Sequence, residues 1–305
     1  MDKKRFALPI VRVPGYIQST IIGATLPHFV ANISLTYKSA AAYTFYVKSN
    51  ILSKNDSRVE AAELYASPRT VTGIDQCYFY HSMDLPRSGP VEGPFDLRPG
   101  IDSYLGGVSF VGKRVLEIGP ASGYVTFHME QSGADVVAVE TSEEFGWDYV
   151  PQVEALTPVV LQERAVIMDR LRNGFWLAHA EFGSSARIHY GSAYQLPAEM
   201  GQFDVAVMAC VLLHCRDPLR VIENCARRAP SLVIVDRSCP DLPDGPVCRL
   251  VPTRENGMWD TWWDLSPLLL RQFLAVMGFT NVTTTFHVQR YSNGMVPLFT
   301  IVAGR

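Results

Sequence analysis

The stretch VLEIGPASGYVTFHMEQSGADVVAVE joins an acidic residue to a short glycine-containing segment that could hold a ligand. A dinucleotide loop has the pattern G-x-G-x-x-G, whose glycines let the backbone approach a pyrophosphate at the start of a helix. Counted from Gly119, this chain has Ala121 and Tyr124 where the other two glycines would stand. An acid, Glu117, precedes Gly119, and Gly123 follows it. The segment predicts a sharp turn that holds something other than a dinucleotide, because glycine leaves room that a Cβ would fill.

The chemistry of this segment favours a ligand that carries a cationic amine and a nucleoside. Carbonyl oxygens at the turn and the carboxylate of Glu117 suit an ammonium group, whereas a pyrophosphate would need only donors. Glu140 ends the next apolar run about 20 residues after Gly119, where a carboxylate can accept hydrogen bonds from both hydroxyls of a ribose. An amino-acid ammonium beside a nucleoside describes S-adenosylmethionine (SAM).

Short apolar runs rich in β-branched residues alternate with helical stretches from Gly112 onward. The predicted strands are KRVLEI, ADVVAVE, ARIHYG, FDVAVMA and SLVIVD. The predicted helices between them are VTFHMEQSG, PQVEALTPVVLQERAVIMDRLRNG and DPLRVIENCARR. This alternation is typical of a doubly wound parallel sheet with helices on both faces.

The C-terminal part predicts a different arrangement. The helix SPLLLRQFLAVMGF begins at Ser266 with a proline next to it and ends at Gly278, and Asp217 followed by proline starts the preceding helix in the same way. NVTTTFHVQ, the turn YSNG and PLFTIVAG then indicate two strands of a hairpin. The predicted fold is therefore α/β: a doubly wound, mostly parallel, seven-stranded Rossmann-like sheet with a C-terminal antiparallel hairpin and an N-terminal cap.

From Gly112 to its C-terminus the chain resembles the class I SAM-dependent methyltransferases. LEIGPASG resembles the first motif of that family, and AVE with Glu140 resembles its ribose-binding acid. GSAYQLP resembles the segment beside the adenine, with Ser192 in place of the usual aspartate, so that a hydroxyl or backbone contact would substitute there. FDVAVMACVLLHCRDP and DLSPLLLRQFLAVMGF resemble the fourth-strand motif and the helix before the terminal hairpin. The resemblance implies SAM as cofactor and methyl transfer as the reaction.

The resemblance and the turn together assign residues to the cofactor site. Cys210 is expected to line the floor of the pocket as a small apolar residue and not to act as a nucleophile. The predicted cofactor-binding residues are Glu117, Gly119, Pro120, Ala121, Ser122, Gly123, Glu140, Thr141, Ser192, Ala193, Tyr194 and Cys210.

Catalysis needs little more than positioning, because the methyl group of a sulfonium is already activated for in-line displacement. A hydroxyl or ammonium acceptor would also need a base, whereas a thioether or thiolate would not. The catalytic candidates are His214, His81 and Tyr80, and the alternative for His214 is a structural role in the loop before Asp217. The candidate substrate-binding residues are Tyr78, Trp259, Asp260 and Trp263, which core packing would also explain.

Residues 1–105 are less regular than the rest and are predicted to form a cap that selects the substrate, and residues 106–305 the SAM-binding methyltransferase domain. A short capped helix is predicted at SRVEAAELY, residues 57–65. The apolar segment STIIGATLPHFV is a candidate contact between copies of the chain, so a homo-oligomer is one expectation.

Composition favours a soluble cytoplasmic protein with a small-molecule partner. The net charge of −3 and the pI near 6.2 provide no basic field for nucleic acid. The six cysteines form no CxxC pair and are too few for a disulfide scaffold. Proline and glycine interrupt the apolar N-terminal run, which argues against a signal peptide, and no apolar run is long enough to span a membrane. No metal-ligand spacing is present, so no metal is expected.

The substrate is the least determined part of the prediction. HxxDP, WWxLSP and YHSMDLP resemble a broad bacterial set of small-molecule methyltransferases, which also looks related to enzymes that carboxymethylate the wobble uridine of tRNA. Because a concentrated Lys/Arg surface is absent from the sequence, a small polar metabolite is favoured over tRNA. An amino-acid-like thioether such as methionine, giving S-methylation, is one candidate. A SAM-binding protein without catalytic activity is the alternative from another class.

Overall fold

The structure is a computed structural model, which describes residues 64–142, 146–151, 154, 156–292 and 294–305. The apolar segment STIIGATLPHFV lies outside the described residues, as does most of the predicted helix at residues 57–65. Residues 64–105 pack against the sheet and its helices. Whether residues 1–105 form a substrate-selecting cap stays a prediction.

The central sheet has eight strands in the order β3-β11-β12-β8-β7-β4-β5-β6. Strands β4 to β8 run parallel, and β12 and β11 follow antiparallel at one side, as the sequence predicts for a doubly wound sheet with a terminal hairpin. The twelve strands are β1 Met83–Leu85, β2 Gly89–Val91, β3 Phe95–Asp96, β4 Arg114–Ile118, β5 Asp135–Glu140, β6 Arg187–Tyr190, β7 Val205–Ala209, β8 Ser231–Arg237, β9 Cys248–Leu250, β10 Trp263–Leu265, β11 Asn281–Tyr291 and β12 Gly294–Gly304.

The sheet has one strand more than the seven predicted. Strand β3 pairs with the far end of β11 through two residue pairs, Asp96 with Arg290 and Phe95 with Tyr291. A strand of two residues is too short to show the alternation of apolar and polar residues that identifies a strand in a sequence. The two residues also lie in a segment rich in proline and glycine, which predicts a connector.

The helices on the two faces begin where a side chain caps the first turn and a proline follows. Thr157, Asp217 and Ser266 each accept a hydrogen bond from the backbone N–H three residues later. The second predicted helix begins later than expected, at Pro158, because the cap is Thr157. The helices are α1 Ile101–Tyr104, α2 Tyr124–Gln131, α3 Pro158–Phe182, α4 Pro218–Ala226 and α5 Pro267–Val276, with 3-10 turns at Ile74–Gln76, Ala198–Met200 and Leu212–His214.

Both faces of the sheet are buried. Along β4, Leu116 packs in a cluster with Leu270 of α5, while Val115 packs in a second cluster with Val125 of α2. Chain order reverses between β4 and its neighbour β7, since β5 and β6 continue on the other side of β4. A crevice for a ligand forms at such a switch point, beyond the carboxyl ends of the strands.

Three features are absent from the described part of the chain: a membrane-spanning helix, a metal-binding group of side chains and a disulfide bond. None of its helices is both long enough and apolar enough to cross a membrane. None of its groupings of three or more His, Cys, Asp or Glu side chains could hold a metal ion. All six cysteines are free thiols.

Candidate cofactor and substrate site

The turn after β4 is left-handed at three positions. Gly119, Ala121 and Gly123 have φ angles of 73°, 51° and 90°. A Cβ at Gly119 would come within 2.6 Å of Val211, and one at Gly123 within 2.4 Å of the Phe127 ring. Both positions therefore require glycine, whereas Ala121 adopts a conformation that costs energy for a residue with a Cβ.

Glu140 lies directly beside this turn. The backbone N–H of Gly119 donates to the carbonyl of Val139 at 2.8 Å, which aligns the end of β4 with the end of β5. The Oε1 atom of Glu140 accepts from the backbone N–H and the hydroxyl of Thr141 at 2.8 and 3.1 Å. Burial raises the pKa of Glu140, against the hydrogen bonds from Thr141 and Ala121 and the charge of Arg172. The turn and the acid assigned to the cofactor are thus brought together, with the acid buried at the strand end.

Glu117 is buried and hydrogen-bonded within the protein. Its side chain is 2% exposed, and it accepts a hydrogen bond from the hydroxyl of Thr126 on α2. Burial raises the pKa of Glu117 to about 8, so the carboxyl is mostly neutral at pH 7. Its contact with an ammonium group stays a prediction.

Ser122 joins the turn to the preceding part of the chain. Its Oγ atom accepts hydrogen bonds from the backbone N–H groups of Tyr80 and His81 at 3.2 and 3.1 Å. The residue is fully buried. The hydroxyl is therefore engaged with the protein's own backbone, at a position where the sequence predicts a cofactor contact.

His81 is packed in an aromatic cluster. Its ring centroid lies 5.0 Å from that of Tyr80, 5.8 Å from Phe95 and 6.2 Å from Tyr124. The side chain is 5% exposed, and burial lowers its pKa to about 3. Burial also raises the pKa of Tyr80, whose hydroxyl interacts with that of Tyr291. These surroundings favour a packing role for His81 over the predicted role as a base.

The segment after β6 borders the crevice on the side of β5. The N–H of Gly191 donates to the carbonyl of Glu140 at 2.8 Å, and Ser192 Oγ accepts from the N–H of Tyr194 at 3.2 Å. The amide of Asn224 donates to the carbonyl of Ala193 at 3.0 Å. These contacts hold the Ser192–Tyr194 segment next to the predicted ribose-binding acid.

The phenol of Tyr194 is committed to contacts within the protein. Its hydroxyl donates to the carboxylate of Asp148, and it accepts from the backbone N–H of Asp217 at 3.2 Å. Burial raises the pKa of Tyr194. The predicted cofactor contact of Tyr194 would therefore involve its ring or its backbone and not its hydroxyl.

Cys210 follows β7 at the centre of the crevice edge. Its φ angle is 53°, and its N–H donates to the carbonyl of Val235 in β8 at 2.8 Å. Burial raises the pKa of its thiol to about 12, and Tyr104 hydrogen-bonds to the sulfur. A thiol held neutral in this way is consistent with the predicted lining role and unsuited to nucleophilic attack.

His214 is positioned with one tautomer fixed. Its Nδ1 atom lies 2.5 Å from the carbonyl oxygen of Asp260, which can only accept, so Nδ1 carries the proton. The ring centroid lies 4.8 Å from that of Trp147. Burial lowers the pKa of His214 despite the hydrogen bond to Asp260. The free lone pair is therefore on Nε2, which could accept a proton.

Residues 146–151, which follow β5, contact the predicted substrate segment. Val150 donates its N–H to the carbonyl of Trp259 at 2.8 Å, and Trp262 donates its indole N–H to the carbonyl of Asp148 at 2.6 Å. Trp259 is next in the chain to Asp260, whose carbonyl oxygen is the hydrogen-bond partner of His214. The structure therefore brings Asp260 to the histidine, while the contacts of Trp259 are with Val150 and Tyr149.

Trp263 and Tyr78 have different surroundings. The indole of Trp263, in β10, donates to the carbonyl of Arg216 at 3.1 Å. Tyr78 is 37% exposed, and its backbone N–H donates to the carbonyl of Arg170 on α3 at 2.9 Å. The described contacts do not group these two residues with His214 and Asp260.

Sequence reasoning missed three residues near this edge. The guanidinium carbon of Arg164 lies 4.3 Å from the ring centroid of Trp147, which in turn contacts His214. Asp236 ends the buried part of β8 and is 2% exposed. The signal for Asp236 was present in the sequence, because VIVD ends an apolar strand with an acid just as AVE does at Glu140.

Comparison with known proteins identifies the family. A model of the methyltransferase domain matches residues 96–276, which is more than half of the chain. The chain therefore belongs to the class I SAM-dependent methyltransferases and is an enzyme of that class. No curated protein matches it.

Solved structures with a similar fold have low sequence identity. A SAM-dependent methyltransferase from Aquifex aeolicus is 15% identical over 69% of this chain and 89% of that chain, with a TM-score of 0.40. The 1,6-didemethyltoxoflavin-N1-methyltransferase of Burkholderia thailandensis is 16% identical over 68% of this chain and 77% of that chain, with a TM-score of 0.43. Magnesium protoporphyrin IX methyltransferase from Synechocystis PCC 6803, which has SAM bound, is 16% identical over 63% and 71%, with a TM-score of 0.38.

Proposed function

We propose that the protein transfers the methyl group of SAM to a small polar metabolite. The observation that carries this proposal is the buried carboxylate of Glu140 at the end of β5, next to a turn that is left-handed at Gly119, Ala121 and Gly123. The turn and the acid fit the cofactor, because the turn leaves backbone groups accessible and a carboxylate can accept from both ribose hydroxyls. Thr141 holds that carboxylate in place through Oε1.

SAM supplies a methyl group that is already activated by its bond to a positively charged sulfur. The protein's own task is to align the acceptor with that group and to exclude water, and alignment alone can contribute about 7–11 kcal/mol in favourable systems. Cys210 offers a small neutral wall at the strand ends. Beyond the strand ends, the indole of Trp147 packs against the imidazole of His214, and Arg164 lies over that indole.

The charge of the chain supports a small molecule as acceptor. With a net charge of −3, the protein provides no general attraction for a polyanion, and nucleic-acid affinity depends largely on such attraction. Within this class of acceptor, an amino-acid-like thioether such as methionine is one candidate. A tRNA acceptor and a SAM-binding protein without catalytic activity are the alternatives.

The cofactor assignment is tested with Glu140→Ala and calorimetric titration of SAM. Losing two hydrogen bonds to a charged group, each worth about 1.5–3 kcal/mol, should weaken SAM binding on the order of 100-fold or more. Asp135→Ala is the matched control, because Asp135 is an acid at the opposite end of the same strand. Equal SAM affinity in the wild type and both variants would refute the assignment.

The acceptor class is tested with the purified full chain. The protein is incubated with SAM and a soluble metabolite extract, and in parallel with SAM and bulk tRNA. Formation of S-adenosylhomocysteine and a metabolite heavier by one methyl group is the expected result. Turnover with tRNA alone would support the nucleic-acid alternative, and SAM binding without turnover in either arm would indicate a non-catalytic protein.

A further inference from the structure

Asp236 lies at the carboxyl edge of β8, beside the floor of the crevice. Strand β8 is parallel to β7, and Val235 is in register with Ala209. The N–H of Cys210 donates to the carbonyl of Val235 at 2.8 Å, so Asp236 follows this contact directly. The acid therefore lies at the same carboxyl edge of the sheet as Glu140 of β5, one residue beyond the position on β8 that is level with Glu140.

One oxygen of this carboxylate is satisfied and the other is not. Oδ1 accepts from the backbone N–H of Arg237 at 2.7 Å, and the backbone N–H of Leu213 also donates to the carboxylate. Oδ2 is buried, and within the described part of the chain it has no hydrogen-bond partner. The Arg237 guanidinium donates to Asp264 at 2.7 Å, and its charge offsets the burial of Asp236 only in part.

A buried carboxylate oxygen without a donor is costly, since the group loses its hydration and gains nothing in return. Buried polar atoms are nearly always hydrogen-bonded, so an exception calls for a specific explanation. An acceptor substrate that donates an O–H or N–H to Oδ2 would supply the missing partner. Cys210 directly follows β7, and its side chain lies near Asp236 on the floor of the crevice.

We propose that Asp236 is a catalytic residue, whose Oδ2 atom accepts the proton of a hydroxyl or amine acceptor during methyl transfer. This inference rests on the proposed function. The acceptor's lone pair forms the new bond to the methyl carbon, and the electrons of the carbon–sulfur bond go to sulfur. The acceptor's O–H or N–H proton goes to the carboxylate, which becomes a neutral carboxylic acid and later releases the proton to water.

The electrostatic surroundings agree with this role. Burial raises the pKa of Asp236 to about 7, where a base is both available and able to accept a proton. Hydrogen bonds from the backbone of Arg237 and Leu213 and the charge of Arg237 lower the pKa, and the charge of Asp264 raises it. The other titratable groups that interact with Asp236 include Cys210 after β7, Cys215 before α4 and Tyr104 of α1, and burial raises the pKa of all three, so they stay neutral near pH 7.

The inference narrows the acceptor to compounds with an O–H or N–H at the methylated atom. A thioether needs no base, and its product is a permanently charged sulfonium. His214 is the other candidate base, but its Nδ1 proton is fixed on Asp260, and only Nε2 remains for an acceptor. Of these two groups, Asp236 has the unsatisfied buried atom, so it is the stronger candidate for the group that touches the acceptor. Nδ1 of His81 is also buried without a partner among the described residues, but its ring is packed in the aromatic cluster with Tyr80 and Phe95.

The test uses Asp236→Asn, Asp236→Glu and the control Asp96→Asn in the full chain. The probe is the metabolite fraction that supports S-adenosylhomocysteine formation by the wild type. Asp236→Asn should lower kcat about 100-fold or more and leave SAM affinity by calorimetry unchanged. We expect the activity of the wild type to fall below about pH 7, as Asp236 becomes protonated, and this fall should be absent in Asp236→Asn. Asp236→Glu should restore part of kcat.

The control separates a catalytic role from a structural one, because Asp96 is a buried carboxylate that pairs with Arg98 at the sheet edge. Its variant should keep the wild-type pH profile. The inference is overturned if Asp236→Asn retains the wild-type kcat and pH profile, or if mass spectrometry shows a sulfonium product. Absence of SAM binding by the wild type would instead refute the proposed function itself.

Discussion

Glu117→Gln should stabilise the protein by an amount that depends on pH. The pKa of Glu117 lies near 8 and not at the usual 4.5, chiefly because burial penalises the ionised form. Each pKa unit corresponds to about 1.4 kcal/mol, so the buried acid costs the folded state on the order of 5 kcal/mol above pH 8. Because the folded state holds the proton more tightly than the unfolded state, wild-type stability falls as pH rises from about 4.5 to about 8 and is level beyond that.

Glutamine has the same shape and no proton to lose, so its variant should lack this dependence. We expect the variant to exceed the wild type by about 1.5 kcal/mol near pH 5.5 and by about 5 kcal/mol near pH 8.5. Urea unfolding without SAM at both pH values measures the two differences. Glu163→Gln is the control for the same change of side chain at a position that is exposed on α3. A gap for Glu117→Gln that is the same at both pH values would refute the reasoning.

Two further predictions concern the neighbourhood of the turn. Ser122→Ala should lower the free energy of unfolding by roughly 1–3 kcal/mol, because the buried N–H groups of Tyr80 and His81 lose their acceptor; a loss under about 0.5 kcal/mol in urea unfolding would argue against that role. The thiol of Cys210, with its pKa raised to about 12 by burial, should alkylate far more slowly than that of Cys248, which is exposed. Peptide mapping after iodoacetamide treatment checks the order, and earlier labelling of Cys210 would contradict it.

The sequence was sufficient to predict most of the sheet, and the reason is local. Each parallel strand is a short, continuous apolar run, because a strand buried on both faces has no polar side. The capping residues Asp217 and Ser266, each followed by proline, similarly mark the first turns of α4 and α5. Strand β3 was missed because its pairing with β11 depends on a partner almost 200 residues away and on no pattern of its own.

The site could be predicted only in part, for a related reason. Gly119 and Glu140 could be proposed as site residues from the sequence because Gly119 follows a recognisable strand and Glu140 ends one. The engagement of Ser122 with the backbone of Tyr80 and His81 could not be, since it joins segments about 40 residues apart through a hydroxyl that any turn could carry. The contact between residues 146–151 and the segment at Trp259 is likewise a tertiary contact without a sequence motif.

The buried acids in the described part of the chain divide into two kinds, and the division bears on function. Asp96 has its pKa lowered, first by its hydrogen bond to Arg98, and Asp264 has its pKa lowered by Cys239, Arg249 and Arg237 in spite of burial. Both are matched by cations, as expected of acids that stabilise the fold.

The second kind consists of Glu117, Glu140 and Asp236, which lie near the carboxyl ends of three parallel strands and have raised pKa values because burial outweighs any opposing charge. A fold gains nothing by placing poorly compensated carboxylates along one edge of its sheet, where each lowers stability near neutral pH. A ligand that brings a positive charge and several hydroxyl donors to that edge would offset the cost. The arrangement is therefore better explained by ligand binding than by stability, and this is the physical basis for assigning the cofactor and its acceptor to the same edge.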